Sequence, residues 1–274
     1  MWRVTNAKAP FYLVGSLHSL TQRDYPLPSP YQLAFDQSQR LIFEYDPNKD
    51  QEFQNKFADA GKYPPGQDIR NRIHPKTLAW LRQNTQFIGW KFSDKDKRYH
   101  ASVGGFDAAI QYKPWWIADH FFDIRAFSDV SDKDGVDSYL ENRARKAGKE
   151  FGGLETVEEH VAVLGKLSDR DGEILLLDTL VYMDTAANEY HRMRAAWRRG
   201  DVEKLWTLDS RLRREAPWIA QRLLDIRNIM WIPRIEREIQ SGKPTSIVAG
   251  ALHFGGPNSV IKLLEKRGYT IEQL

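Results

Sequence analysis

Apolar residues recur along this chain in two ways: short unbroken runs near the ends, and stripes at helical spacing through the middle. The run Phe11 to Val14, closed by Gly15, predicts a buried strand. Pro26-Leu-Pro-Ser-Pro30 is a loop, where Ser29 can cap and Pro30 can open a helix through about Ser38. Leu41-Ile-Phe-Glu44-Tyr45 is a second buried strand, so strand, helix, strand opens a layered α/β fold. From about 51 to 240 the period is mostly helical. Helices are expected from Pro75, from Phe106 to Phe122, and from Gly135 to about Ala147. Two long ones follow, at about Gly172 to Arg199 and Pro217 to Gln240, separated by Gly200-Asp201. A short strand at Glu150 to Leu154 interrupts the series, and Thr156-Val-Glu-Glu159 fits a capping box. At the end, Thr245 to Ala249 is a strand, Gly250 to Gly256 a loop, Pro257 to Lys266 a helix closed by Gly268, and Tyr269 to Gln273 a last strand. The predicted fold is α/β. A central mixed sheet is built from the N- and C-terminal segments and flanked by helices, and one domain over 1–274 carries a large helical insertion.

Composition narrows the function classes. A chain of 274 residues with 41% hydrophobic and 28% charged residues can bury a full globular core. The net charge of +3 is small, and the basic residues lie on helical stretches without interleaved aromatics, which argues against a nucleic-acid surface. With no cysteine, disulfides, thiolate catalysis and thiolate metal sites are excluded. No apolar stretch approaches the ~18 residues of a membrane span. No signal peptide is visible, so the chain is expected in the cytoplasm, or exported if a leader has been removed. Oligomeric state is not readable from the sequence.

Two segments at opposite ends read almost alike: Phe11-Tyr-Leu-Val-Gly15-Ser-Leu-His18 and Ser246-Ile-Val-Ala-Gly250-Ala-Leu-His253. Each places a histidine just past a strand's carboxyl end, where α/β folds bind ligands, and Gly15 and Gly250 let the backbone turn and approach closely. Seven histidines in all make the matched pair a candidate shared site, although each alone reads as a loop residue satisfied by backbone. Glu44 interrupts an apolar strand. It is either a metal ligand or general base beside the histidines, or an edge-strand carboxylate facing water. Asn228 lies in the stripe of Leu224, Trp231, Ile235 and Ile239, with Arg227 on its flank; they form a structural ion pair or reach a cleft. Glu155 and Asp137 both stand at helix starts, where helix-end electrostatics alone would explain them. His160 reads as a helix-surface residue, and Trp115 and Trp116 as core or groove wall. The phosphate-loop, dinucleotide, His-Glu-x-x-His and Gly-x-Ser-x-Gly patterns are missing from the sequence.

With these residues in place, the whole chain resembles the TraB/GumN family, which includes the TIKI and pheromone-shutdown proteins. The resemblance rests on Trp2-Arg-Val, Gly15-Ser-Leu-His18, Phe43-Glu44, Gly135-Val-Asp137-Ser-Tyr-Leu140 and Gly153-Leu-Glu155-Thr156. It continues through Ala196-Trp197-Arg-Arg-Gly200-Asp201, Arg227-Asn228, Gly250-Ala-Leu-His253, Gly256-Pro-Asn-Ser-Val260 and Leu264-Glu-Lys-Arg-Gly268-Tyr269. It implies an α/β core whose active site holds His18, His253, Glu44 and Arg227. TIKI relatives imply a metal-dependent protease using Mn²⁺ or Co²⁺, while erythromycin-esterase-like relatives imply a similar set working without metal. His160 departs from the family, which usually has glutamine there.

The sequence therefore leads to an expected hydrolase of peptide or related amide or ester substrates. His18, Glu44 and His253 would hold one divalent ion; Zn²⁺ and Fe²⁺ also suit these ligand types. Arg227 would steady an oxyanion or hold Glu44 charged, with Glu155, Asp137 and Asn228 in support. The alternatives are a metal-free esterase-like hydrolase and a protein that binds and sequesters a peptide or small signal.

Overall fold

A computed structural model describes the chain except for residues 85–89, 94–97, 102–105, 126–129 and 184–185. It divides into two compact units, one of residues 1–53, 129–160 and 188–274, the other of 54–128 and 161–187. The central helical region is thus shared between the units.

The first unit is built on strands β1 (Trp2–Val4), β2 (Phe11–Ser16), β3 (Arg40–Tyr45), β6 (Glu150–Glu155), β7 (Thr245–Gly250) and β8 (Ile271–Gln273), in the order β6-β3-β7-β2-β1-β8. The four strands β6, β3, β7 and β2 are mutually parallel, while β1 runs antiparallel to β2 and to β8. The sheet is mixed, as its two-ended assembly predicted. Tyr12, Val14, Leu41, Phe43 and Val248 pack to one face, and Phe11, Leu13, Ile42, Ile247 and Ala249 to the other. Both faces are covered, which is why these strands read as unbroken apolar runs rather than alternating ones.

Helices α1 (Ser29–Gln37), α6 (Val136–Lys146), α9 (Ala186–Arg198) and α10 (Val202–Leu208) supply the layer against the first face. The other layer is made by α14 (Val260–Lys266) and one unbroken helical run, α12 (Pro217–Ala220), a π-turn (Gln221–Asp225) and α13 (Ile226–Gln240). That run spans the predicted Pro217 to Gln240. The capping box is present: Thr156 N–H donates to Glu159, and Glu159 N–H to Thr156 Oγ1, at the start of α7 (Val157–Gly165). The last helix departs from prediction: Ser259 caps it, accepting from Lys262 N–H, Pro257 lies before it, and residues 251–254 form a 3₁₀ turn.

The second unit holds most of α2 (Asp50–Gly61), α3 (Pro75–Asn84), an antiparallel pair of β4 (Trp90–Ser93) and β5 (Arg98–Ala101), α4 (Phe106–Ala109), α5 (Pro114–Arg125) and α8 (Asp169–Met183). The predicted helix over 106–122 is broken, because Pro114 cannot continue a helix begun upstream and instead opens α5. The predicted helix over 172–199 is seen as α8 and α9, with 184–185 between them outside the described residues. Trp115 and Trp116 are core residues of this unit.

Candidate functional site

The site lies wholly within the first unit, and strand order creates it. β7, the last parallel strand in the chain, inserts between β2 and β3. Its ladder with β3 stops at Ile42↔Ile247, although β3 continues to Tyr45 and β7 to Gly250. In the opening beyond that pair, Glu44 Oε1 accepts the Gly250 N–H at 2.9 Å, so a side chain takes over from the ladder. Glu44 shares the parity of Ile42 and so faces α13. β3 is interior and the Glu44 side chain only 11% exposed, which removes the water-facing edge reading.

His18, Glu44 and His253 converge on one point. A Cβ on Gly250 would lie 3.2 Å from His18 Nε2, 3.4 Å from Glu44 Oε1 and 3.6 Å from His253 Cδ2. Gly250 keeps this hollow open. Gly15 serves the other segment: its Cα packs so closely on Ala251 that an added Cβ would stand 3.3 Å from it, while Tyr31 and Trp197 both donate to the Gly15 carbonyl.

Each histidine is oriented through Nδ1. His18 Nδ1 meets Asp137 Oδ2 at 2.9 Å, and Asp137 Oδ1 accepts from Ser16 Oγ at 2.9 Å. Asp137 is placed by the first turn of α6, whose Val136 N–H donates to Leu17 O. Gly135 is obligatory here, since its Cβ would stand 1.9 Å from the His18 carbonyl oxygen. His253 Nδ1 lies 2.6 Å from Asn228 Oδ1, and Asn228 Nδ2 donates to Asn258 O at 2.9 Å. Because Asn228 Oδ1 is an acceptor, His253 carries its proton on Nδ1 and leaves Nε2 as a lone pair.

The two imidazoles hold opposite proton states. The charge of Asp137 raises the pKa of His18, whose side chain is 64% exposed to solvent. Burial lowers His253 to about 3, so it stays neutral. Burial alone would raise Glu44, but the charges of Arg227 and His18 outweigh it and hold the carboxyl well below the ordinary range.

Arg227 organises the buried side. Nη2 donates to Glu44 Oε2 at 2.6 Å and to Glu155 Oε2 at 3.0 Å, and Nε to Glu155 Oε1 at 2.7 Å. Nη1 reaches Leu223 O and His253 Nε2, each at 3.4 Å. With its five N–H groups so committed, Arg227 fixes two carboxylates and is not free for an oxyanion. Glu155 also accepts from Trp231 Nε1 at 2.9 Å and from His160 Nδ1 at 2.6 Å. Burial opposes its charge, yet the bonds from His160 and Arg227 bring it down to about 2.

All nine residues singled out from the sequence belong to this cluster. His160 is the correction: it is not a surface residue but packs on the rings of Tyr45 and Phe53 and bonds Glu155. Its position three after buried Val157 and one before buried Val161 was the available signal. Ser16 and Trp231 were likewise missed as partners, because both read simply as strand or core.

As placed, the side chains of this cluster are gathered round Arg227 and not round a divalent ion. Among the described residues, no group of three His, Asp or Glu side chains is disposed to hold one. The physical reason is that Arg227 already neutralises Glu44 and stands beside His253 Nε2, so the cation of this cluster is a guanidinium.

The model of the TraB/PrgY/gumN family matches residues 1–273. No curated protein and no solved structure matches the chain. The chain belongs to the TraB/PrgY/gumN family.

Proposed function

We propose that this TraB/PrgY/gumN-family protein is a hydrolase of peptide-like amides or esters that works by acid–base chemistry between two histidines. The observation that carries the reading is the pairing of a protonated, solvent-facing His18 with a neutral, buried His253 across Gly250, with ionised Glu44 between them. Perturbed titrating groups pushed in opposite directions within one hollow mark acid and base roles.

In this reading His18 Nε2–H donates to the substrate carbonyl oxygen and then to the leaving oxygen or nitrogen. A water at the Gly250 hollow gives its proton to His253 Nε2, whose lone pair gives up the Arg227 Nη1–H to take it, while the water oxygen bonds to the carbonyl carbon and the bond to the leaving group breaks. Glu44 Oε1, 3.8 Å from His253 Nε2, offsets the imidazolium that forms. The proton leaves His253 through solvent and one returns to His18, so each turnover consumes one water. Arg227 holds Glu44 ionised and in place.

The test is an ester and peptide library assay run in chelator and, separately, with added Mn²⁺ or Co²⁺. Turnover is expected in chelator, with His18→Ala and His253→Ala each slowing it by about 10²–10⁴-fold. Activity only with added metal would overturn the metal-free reading and return His18, Glu44 and His253 to the role of ion ligands, with Arg227 giving up Glu44. Tight peptide binding without turnover would make the protein a sequestering one.

A further inference from the structure

The helical run from Pro217 to Gln240 presents three faces. Trp231, Ile232, Ile235 and Ile239 are buried in the core. Arg227 turns toward the candidate site. The third face carries Trp218, Ile226, Ile229 and Met230, each between 45% and 56% exposed. At regular α-helical spacing Trp218 would stand about 80° round the helix from Ile226. The π-turn at Gln221–Asp225 takes up one extra residue, a rotation of about 100°, and brings Trp218 into line. The stripe is thus a product of the same π-turn that precedes Arg227.

Charge on this run is sorted. Exposed Arg237 lies two turns beyond Met230, and part-buried Arg222, which has a partner of its own, lies one turn before Ile226. The acidic side chains are turned elsewhere: Glu236 toward Arg267, Glu238 onto Arg40, and Asp225 with a buried carboxylate oxygen. An apolar strip flanked by arginine, with the acids directed away from it, is the composition of a helix that lies in a membrane interface. We propose that the Pro217–Gln240 helix docks this protein on an anionic lipid surface, seating Trp218, Ile226, Ile229 and Met230 among the headgroups. The proposal does not depend on hydrolysis.

The chain has no cysteine, so Met230→Cys introduces a single thiol for an environment-sensitive fluorophore. Lys266→Cys, exposed on α14, is the control. The probes are vesicles of phosphatidylcholine alone and of phosphatidylcholine mixed equally with phosphatidylglycerol. The label at 230 is expected to blue-shift with the anionic vesicles, more weakly with neutral ones or in high salt, and the label at 266 to stay unchanged. In co-sedimentation of the otherwise unaltered chain, Ile226→Glu with Ile229→Glu is expected to cut binding by more than about 10-fold. These sites are half exposed, and unchanged circular dichroism is the check that the variant folds. No shift with anionic vesicles would overturn the proposal. A shift without vesicles that grows with protein concentration would also overturn it, because the stripe would then pair with a second copy.

Discussion

Replacing Arg227 by methionine removes the guanidinium that holds two buried carboxylates, Glu44 and Glu155, ionised in the first unit. In the native protein both folded pKa values lie below the unfolded one. Their stabilisation is therefore complete above the unfolded carboxylate value of about 4.3 and is lost as the pH falls toward 2. Without Arg227, burial dominates and both values move above the unfolded one, so the sign reverses: the variant loses stability as the pH rises past about 4.3. Breaking a buried ion pair costs about 3–5 kcal/mol, and we expect about 4 kcal/mol near pH 8. Near pH 5 the loss is smaller by about 2 kcal/mol or more, since each pH unit is worth about 1.4 kcal/mol per titrating carboxyl. Urea unfolding followed by circular dichroism at both pH values measures this, and thermal melts near pH 8 are expected about 8–16 °C lower. Adding Glu44→Gln and Glu155→Gln to Arg227→Met recovers most of the loss, because no uncompensated charge then remains buried. A loss below about 1 kcal/mol, or an equal loss at the two pH values, would refute the account of Arg227 as the electrostatic anchor.

Three further outcomes follow from the geometry. Gly250→Ala changes stability by less than about 1 kcal/mol, since its φ of −50° suits alanine and the His18 and Glu44 side chains can yield, but it fills the hollow and abolishes turnover; Gly256→Ala, at φ +81° with its Cβ 2.4 Å from the Trp206 ring, costs more than about 2 kcal/mol in the same urea assay. His160→Gln keeps a donor for Glu155 and costs under about 1 kcal/mol, whereas His160→Ala, which also gives up the Tyr45 and Phe53 contacts, costs about 1–2 kcal/mol; equal losses would dismiss the hydrogen bond. Neutral His253, lowered by burial to about 3, contributes stability that is present above about 6.5 and lost as the pH falls toward 3, so His253→Gln flattens the pH dependence of the urea midpoint in that window; His120 in the second unit, lowered to about 4, leaves a residual slope.

Local chemistry in the sequence determined much of this protein. The runs at Phe11 and Thr245 read as buried strands because parallel strands covered on both faces have no polar side to alternate with. Paired Gly-x-x-His segments, and a carboxylate in an apolar strand, marked His18, His253 and Glu44 because buried polar groups need partners. What these partners are was settled only in three dimensions. The insertion of β7 between β2 and β3, and the ladder ending at Ile247, set Glu44 against Gly250 and between the two imidazoles. Sequence spacing says nothing of strand order, so the sorting of His18 as proton holder and His253 as lone-pair bearer was not legible in it. For His160 the spacing from Val157 and Val161 marked only a buried flank of the helix: its role depends on the rings of Tyr45 and Phe53 and on Glu155, brought together where β3, β6, α2 and α7 meet. Residue types state which groups are costly to bury, whereas the long-range contacts that decide how each cost is met exist only in the folded chain.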